Sequence, residues 1–320
     1  MTHWQQISDH ISQTLNTSCC KTLKAPRNTL KAPSKTLKAP FQIQNKSSIG
    51  GGSINSSYRV TGTDGQDYFI KLNSASLEYM FQVEFDSLNE LSIQSNAIRV
   101  PQPICYGTAD SKSYLVLEYL IIHSNGDSKK LGQALAQMHK ITADQYGWYQ
   151  NNIIGSTPQS NQKHNDWITF WREERMRPQF EMLYEKGYKK YLQPLSNNLL
   201  NNLDSLLAGH VPEASLLHGD LWSGNYGFVN DGSEQGQPVI FDPALYYGDR
   251  EADLAMTELF GGFSQDFYDS YNEAWPLDKG YTKRKTVYNL YHILNHANLF
   301  GTSYLNQAIS MMERLCKYNY

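Results

Sequence analysis

The sequence predicts an α+β protein in two lobes, a small sheet-rich lobe followed by a larger, mostly helical one. Three observations lead there. Short strand-like runs separated by Gly- or Asp-containing turns crowd the stretch from Phe41 to Tyr119. After Ser128 the pattern becomes mostly helical, with an interruption around His218–Asp242. Strands first and helices later is the order of an α+β chain. With 320 residues, 40% hydrophobic and 18% charged, the chain is long and apolar enough for a sizeable core.

Trp4, Ile7, Ile11 and Leu15 recur at spacings of three and four, the signature of a short amphipathic helix within residues 1–16. Residues 17–40 are foreign to any such pattern. Thr-Leu-Lys-Ala-Pro occurs three times, at Thr22–Pro26, Thr29–Pro33 and Thr36–Pro40, and each copy carries a proline that would break a helix. Six of the chain's 28 basic residues and no acid lie there. A disordered insert outside the core is the expectation, with a basic tether for an anionic partner as the alternative. Strands are expected at Phe41–Ile49, Tyr58–Thr61, Tyr68–Leu72, around Arg99–Tyr106 and at Tyr114–Tyr119, with a helix over Ser76–Ser92. The sheet-rich lobe is thus expected at 41–119 and the mostly helical lobe at 120–320.

The formal charge is −3 and the pI about 6.3, far from the basic balance of a dedicated nucleic-acid binder. No run approaches the roughly 18 apolar residues a membrane span needs. The N-terminus has neither a basic n-region nor an apolar core, so a cytoplasmic location is expected. Cys19, Cys20, Cys105 and Cys316 form no CxxC pair and are expected to be reduced thiols.

Chemistry is concentrated in His218-Gly-Asp-Leu-Trp-Ser-Gly-Asn225, followed by Phe241-Asp242-Pro243. Two carboxylates and an amide offered together suit phosphoryl transfer. One carboxylate, Asp220, can orient and deprotonate an attacking hydroxyl, while Asn225 and Asp242 can hold Mg²⁺ against nucleotide phosphates. The five-residue step from Asp220 to Asn225 equals that of the protein-kinase catalytic loop. A triphosphate also needs a cradle. Gly50, Gly51, Gly52 and Ser53 lie between two expected strands, where backbone amides can approach phosphates closely. Lys71 would neutralise the phosphates, and Glu84, thirteen residues on, is its expected partner, with Glu78 as the rival. Leu117, Glu118, Tyr119 and Leu120 resemble the segment whose backbone meets an adenine edge. No G-x-x-x-x-G-K-[ST] motif is present, against a P-loop enzyme.

Longer blocks carry a family resemblance. Leu217–Asn225, Phe241–Met256, Leu259-Phe-Gly-Gly-Phe263, Ile154-Gly-Ser-Thr-Pro-Gln159 with Asp166-Trp167 and Phe170-Trp-Arg172, and Asn295-His-Ala-Asn-Leu-Phe-Gly301 are similar to the signature of fructosamine (ketosamine) 3-kinases. The resemblance implies a bilobal protein-kinase-like fold and transfer of the ATP γ-phosphate to the 3-hydroxyl of a ketosamine, small or protein-bound. The unstable product then releases the amine, which is deglycation. By analogy Asp220 is the base, Asn225 and Asp242 hold Mg²⁺, and Lys71 holds phosphate. Many relatives carry Cys where this chain has Ser53, so redox control through that thiol is not expected. Trp222 is the expected aromatic wall for the sugar, and Asp249, Arg250 and His296 are expected to meet hydroxyls or the amine. Asp253 is expected to brace the catalytic loop. His292 and His296, four apart on one helix, lack a third metal ligand and are expected to pack or hydrogen-bond. The alternatives are a kinase of another amino alcohol or amino sugar, and a pseudokinase module. The retention of Lys71, Asp220, Asn225 and Asp242 speaks against the latter.

Overall fold

The computed structural model describes residues 1–18, 40–50, 54–230, 232 and 236–317. The Thr-Leu-Lys-Ala-Pro repeats up to residue 39, and with them Gly51, Gly52 and Ser53, lie outside the described residues. Two compact units are formed, one by residues 1–89 and 101–121, the other by residues 90–100 and 122–320. The division expected after residue 119 thus falls two residues later, and the end of one helix with the segment after it groups with the second unit.

The first unit comprises α1 (His3–Ser18), β1 (Ile43–Ile49), β2 (Ser56–Gly62), β3 (Asp67–Ser74), most of α2 (Glu78–Gln94), β4 (Pro103–Ala109) and β5 (Lys112–Glu118). The strands form one antiparallel sheet in the order β1-β2-β3-β5-β4. Tyr68, Ile70 and Leu72, at the period of two that puts side chains on one face, join Val60, Tyr114 and Val116 in a core completed by Ile7 and Ile11 of α1. A 16-residue helix of this kind is marginal alone. Full burial of Ile7 and Ile11 contributes roughly 1.5–3 kcal/mol each and anchors it. Lys71 alternates to the opposite face, where α2 supplies its partner. The strand expected from Arg99 starts only at Pro103, because Arg99 instead bridges to Val239 in the second unit.

The second unit begins with β6 (Ile122–His123) and α3 (Ser128–His139), followed by β7 (Thr142–Ala143), β8 (Asn152–Ile154) and β9 (Thr157–Gln159). A long helical stretch follows: α4 (Trp167–Phe170), a π-helical turn (Trp171–Met176), α5 (Arg177–Leu183), a second π turn (Tyr184–Tyr188) and α6 (Lys189–Leu206). Then come β10 (Ala214–Leu217), β11 (Tyr226–Val229), β12 (Gln237–Ile240), β13 (Tyr246–Gly248), α7 (Arg250–Leu259), α8 (Gln265–Ala274), α9 (Tyr281–Phe300) and α10 (Thr302–Lys317). Small sheets β13-β10-β7 and β12-β11-β6 carry the region expected to interrupt the helices. A second interruption was not expected. Residues 140–166 hold β7 and the β8–β9 hairpin, in which Asn152 faces Gln159. Gly147 and Gly155 there take positive φ, which ends helical continuity. Phe170, Trp171, Tyr246, Tyr271, Tyr288 and Tyr291 are fully buried at the heart of this unit.

Candidate active site

Strand β10 delivers His218 into a loop that ends where β11 begins, and β12 delivers Phe241 and Asp242 beside it. The two segments are stitched together. His218 Nε2 donates to the Phe241 carbonyl at 2.9 Å, its Nδ1 accepts from the Asp220 amide at 3.2 Å, and Ala244 N donates to the His218 carbonyl at 2.9 Å. Burial lowers the His218 pKa, so the ring stays neutral, with the tautomer these bonds require. Gly219 has φ +82, and a Cβ there would lie 2.0 Å from the Ala244 carbonyl oxygen, so only glycine lets the two chains approach. Asp253 of α7 holds the loop from behind. Its Oδ2 accepts from His218 N at 2.7 Å and its Oδ1 from Gly219 N at 2.8 Å, while His139 Nε2 of α3 lies 3.1 Å from Oδ2. Burial alone would raise the Asp253 pKa, but the hydrogen bonds from His139 and the Gly219 amide, with favourable electrostatics from the His139 and His218 side chains, outweigh it and lower it.

Asp220 sits in the recess so formed. Burial, then the negative charges of Asp242 and Asp253, push its carboxyl up to about 7, against an opposing hydrogen bond from Asn225. Asn225 Nδ2 donates to the Asp220 carbonyl at 2.9 Å, which presents Oδ1 as the oxygen a cation could take. Asp242 is solvent-exposed and one of only two non-glycine residues at positive φ among those described, at +57°. Such a conformation costs of order 1–3 kcal/mol and persists where surrounding structure imposes it. Two carboxylates that repel each other beside an amide oxygen form a hard, oxygen-only donor set with surplus negative charge, which suits Mg²⁺.

In the first unit, Lys71 Nζ is 2.6 Å from Glu84 Oε1, and both side chains are largely buried. Glu84, not the rival Glu78, is the partner in this bond. Gly50 lies at the end of β1, whereas the rest of the glycine loop is not described. The segment 117–120 begins inside β5. Leu117 is buried, and the Glu118 amide already donates to the Gln102 carbonyl at 2.8 Å, so an adenine contact through that amide is not open. Tyr119, whose ring carries Arg59 at 4.9 Å, and Leu120 follow the strand.

Trp222 is 39% exposed, and its indole folds over Gly224, where a Cβ would stand 2.3 Å from the ring. Ser223 Oγ donates to the Phe260 carbonyl at 3.0 Å, and the Phe260 ring lies 4.6 Å from that of His296. The Leu259–Phe263 segment and α9 therefore flank the catalytic loop. His296 Nδ1 donates to the His292 carbonyl, and His292 is buried and pushed down to about 3, chiefly by burial. The two histidines make no metal pair. Asp249 and Arg250 correct the expectation of substrate contacts. Asp249 is 1% exposed, caps α7 through the Glu251 amide, and accepts from His210 Nε2 at 2.7 Å and from the Tyr288 hydroxyl. The Arg250 guanidinium stacks 4.0 Å from Trp275 and donates to the Trp275 and Pro276 carbonyls. Acidic and basic residues just after a catalytic motif look functional in sequence, but the start of α7 uses both for capping and docking.

The His210–Asp249 contact gives a pH-dependent stability. Burial disfavours the imidazolium, yet the Asp249 bond and the charges of Asp249 and Glu251 outweigh it and raise the His210 pKa above 6.5. A raised folded-state pKa contributes stability fully present below the unfolded value and lost as pH rises through the folded one. The melting temperature of the native protein is therefore expected to exceed that of His210→Gln most at acid pH, the gap closing upward from about pH 6.5. A gap independent of pH would refute the charged pair.

A loop with an aspartate and an amide five residues on, and a second aspartate at the end of the second strand after it, in a two-unit α+β chain, is the pattern of a phosphotransferase of the protein-kinase-like class. Comparison with known proteins narrows this. The fructosamine kinase family model matches residues 27–318. A probable ketoamine kinase of Vibrio parahaemolyticus is 42% identical over 98% of this chain and 100% of its own length. The chloroplastic protein-ribulosamine 3-kinase of Arabidopsis thaliana is 38% identical over 85% of this chain and 82% of its own. A crystal structure of a candidate fructosamine-3-kinase from Haemophilus somnus superposes with a TM-score of 0.79 at 29% identity, covering 95% and 96% of the two chains. The fold alone extends to amicoumacin kinase in complex with AMP-PNP and Ca²⁺, with a TM-score of 0.53 at 15% identity over 85% and 88%. The chain belongs to the fructosamine kinase family and is a ketosamine kinase that uses ATP.

Proposed function

We propose that the protein transfers the γ-phosphate of ATP, with Mg²⁺, to the 3-hydroxyl of a ketosamine carried on a small amine or on a protein, so initiating deglycation in the cytoplasm. The observation that carries this reading is the placement of Asp220 beside Asn225 and Asp242, where burial first, and then the charges of Asp242 and Asp253, push its carboxyl up to about 7. Asn225 and Asp242 would hold the cation, which, when bound, offsets phosphate charge and the charge of Asp242 that works against Asp220. Asp220 then stays ionised near neutrality, orients the acceptor hydroxyl and takes up its proton at a carboxylate oxygen as the new O–P bond forms. Lys71, held by Glu84 at 2.6 Å, is assigned to the nucleotide phosphates, with Gly50 to Ser53 as the cradle. Tyr119 and Leu120 remain the proposed adenine neighbours. Trp222 offers a flat apolar face suited to the C–H face of a sugar, with His296 beside Phe260 as a candidate polar contact. Among the described residues no helix is long and apolar enough to cross a membrane.

The test is ATP- and magnesium-dependent phosphate incorporation into fructosamine and ribulosamine, with choline and an aminoglycoside in parallel. Phosphorylation of a ketosamine followed by release of free amine is expected. Turnover of another alcohol alone would keep phosphotransfer and reject the substrate. Asp242→Ala is expected to abolish the magnesium dependence of nucleotide binding while leaving metal-free ATP binding in place. A variant whose Mg-ATP titration matches the native curve would show that Asp242 is no ligand.

A further inference from the structure

The signature segment Ile154–Gln159 has no part in the machinery described so far, yet its last residue reaches the metal-carrying turn. Gln159 Nε2 donates to the Ala244 carbonyl at 3.0 Å and to Asn152 Oδ1 at 2.8 Å, and Asn152 Nδ2 donates to the Leu245 carbonyl at 2.7 Å. Ala244 and Leu245 directly follow Phe241-Asp242-Pro243. The Ala244 peptide is thus gripped on two sides, by the amides of the β8–β9 hairpin and by His218–Gly219 of the catalytic loop. We propose that Gln159, with Asn152, is a positioning residue that fixes the turn carrying Asp242 and so sets the affinity of the site for its divalent cation. This rests on the phosphotransfer reading given above.

The orientation of Gln159 is itself over-determined. Its Oε1 accepts from the Tyr291 hydroxyl at 2.7 Å, and Asn152 Oδ1 also accepts from Asn161 Nδ2 at 2.9 Å. Asn161 in turn accepts from Arg175, whose guanidinium lies 3.9 Å from the Tyr246 ring and 4.6 Å from that of Phe170. Asn152, Gln159, Asn161 and Arg175 are all at most 2% exposed. Burying this many polar groups is costly unless every partner is in place, and a hairpin needing only stability could be filled with apolar side chains instead. What the amides supply that apolar groups cannot is directional hold on two successive carbonyls. That hold matters here because Asp242 sits at a strained positive φ that relaxes if the backbone after it is released.

The test is Mn²⁺ binding to the full-length protein in the presence of a non-hydrolysable ATP analogue, followed by electron paramagnetic resonance. Gln159→Leu keeps the bulk of the side chain but donates nothing to Ala244. It is expected to weaken Mn²⁺ binding roughly ten- to a hundredfold, the range for losing an outer partner of a metal ligand, with metal-free analogue binding retained. Tyr291→Phe removes only the hydroxyl on Gln159 Oε1 and is expected to shift Mn²⁺ binding the same way, carrying the test if Gln159→Leu does not fold. Leu199→Ala, a cavity in α6, is expected to lower the melting temperature without moving Mn²⁺ affinity. Native Mn²⁺ affinity in the folded Gln159 or Tyr291 variant would overturn the inference, as would an equal loss in Leu199→Ala. A native protein with no metal-dependent nucleotide binding would reject the phosphotransfer reading itself.

Discussion

Asp220→Asn is expected to lower kcat by roughly a thousandfold, the usual scale for removing a positioned general base, while ATP still binds. The amide fills the same space and can keep the loop's backbone bonds. What it loses is the capacity to accept the hydroxyl proton and the negative charge that orients the acceptor. Because Asp220 is destabilised as an anion by burial and by the charges of Asp242 and Asp253, the neutral amide should also relieve repulsion in the metal-free protein. The melting temperature without nucleotide is therefore expected to hold or rise, as turnover collapses. Single-turnover kinetics and a thermal melt on one preparation check both. Near-native kcat would remove Asp220 from the role of base.

Asp253→Ala is expected to be the most destabilising of these substitutions. It orphans three buried donors at once, the His218 and Gly219 amides and His139 Nε2. A buried donor left unsatisfied costs about 1–3 kcal/mol, so a loss of about 3 kcal/mol or more is expected, lowering the melting temperature by about 2–4 °C per kcal/mol for a unit of this size. Turnover should fall as well, because the same two amides fix the loop from which Asp220 projects. A folded variant with unchanged melting temperature and kcat would show that α7 does not brace the loop.

The chemical core was legible because it is local. His218 to Asn225 is one contiguous loop, and Phe241-Asp242 follows a single strand, so spacing alone identified the groups that meet. Lys71 and Glu84 were also within reach, since strand alternation and helix phase bring that pair together across thirteen residues. The amphipathic spacing of Trp4, Ile7, Ile11 and Leu15 specified α1, and the strands of the first unit fell close to their expected positions because Gly- or Asp-containing turns separate the strand-like runs.

What failed depended on residues distant in sequence. Asp249 and Arg250 look available beside a catalytic motif, and only the approach of His210, Tyr288 and Trp275 shows that they are spent on holding α7. The β8–β9 hairpin hides inside a stretch too short and too polar for a period to emerge, although Gly147, Gly155 and Pro158 were signals against a helix. Gln159 stood in a recognised signature with no assigned task, and its bonds reach Ala244 and Tyr291, 85 and 132 residues away. By itself the sequence determined the α+β class and the family, and offered the contiguous His218–Asn225 motif, since periodicity and contiguous motifs are properties of neighbouring residues. The tertiary structure decided which charged and amide groups are spent on holding the site in place, because a hydrogen bond is directional and its partner is chosen by packing across the chain.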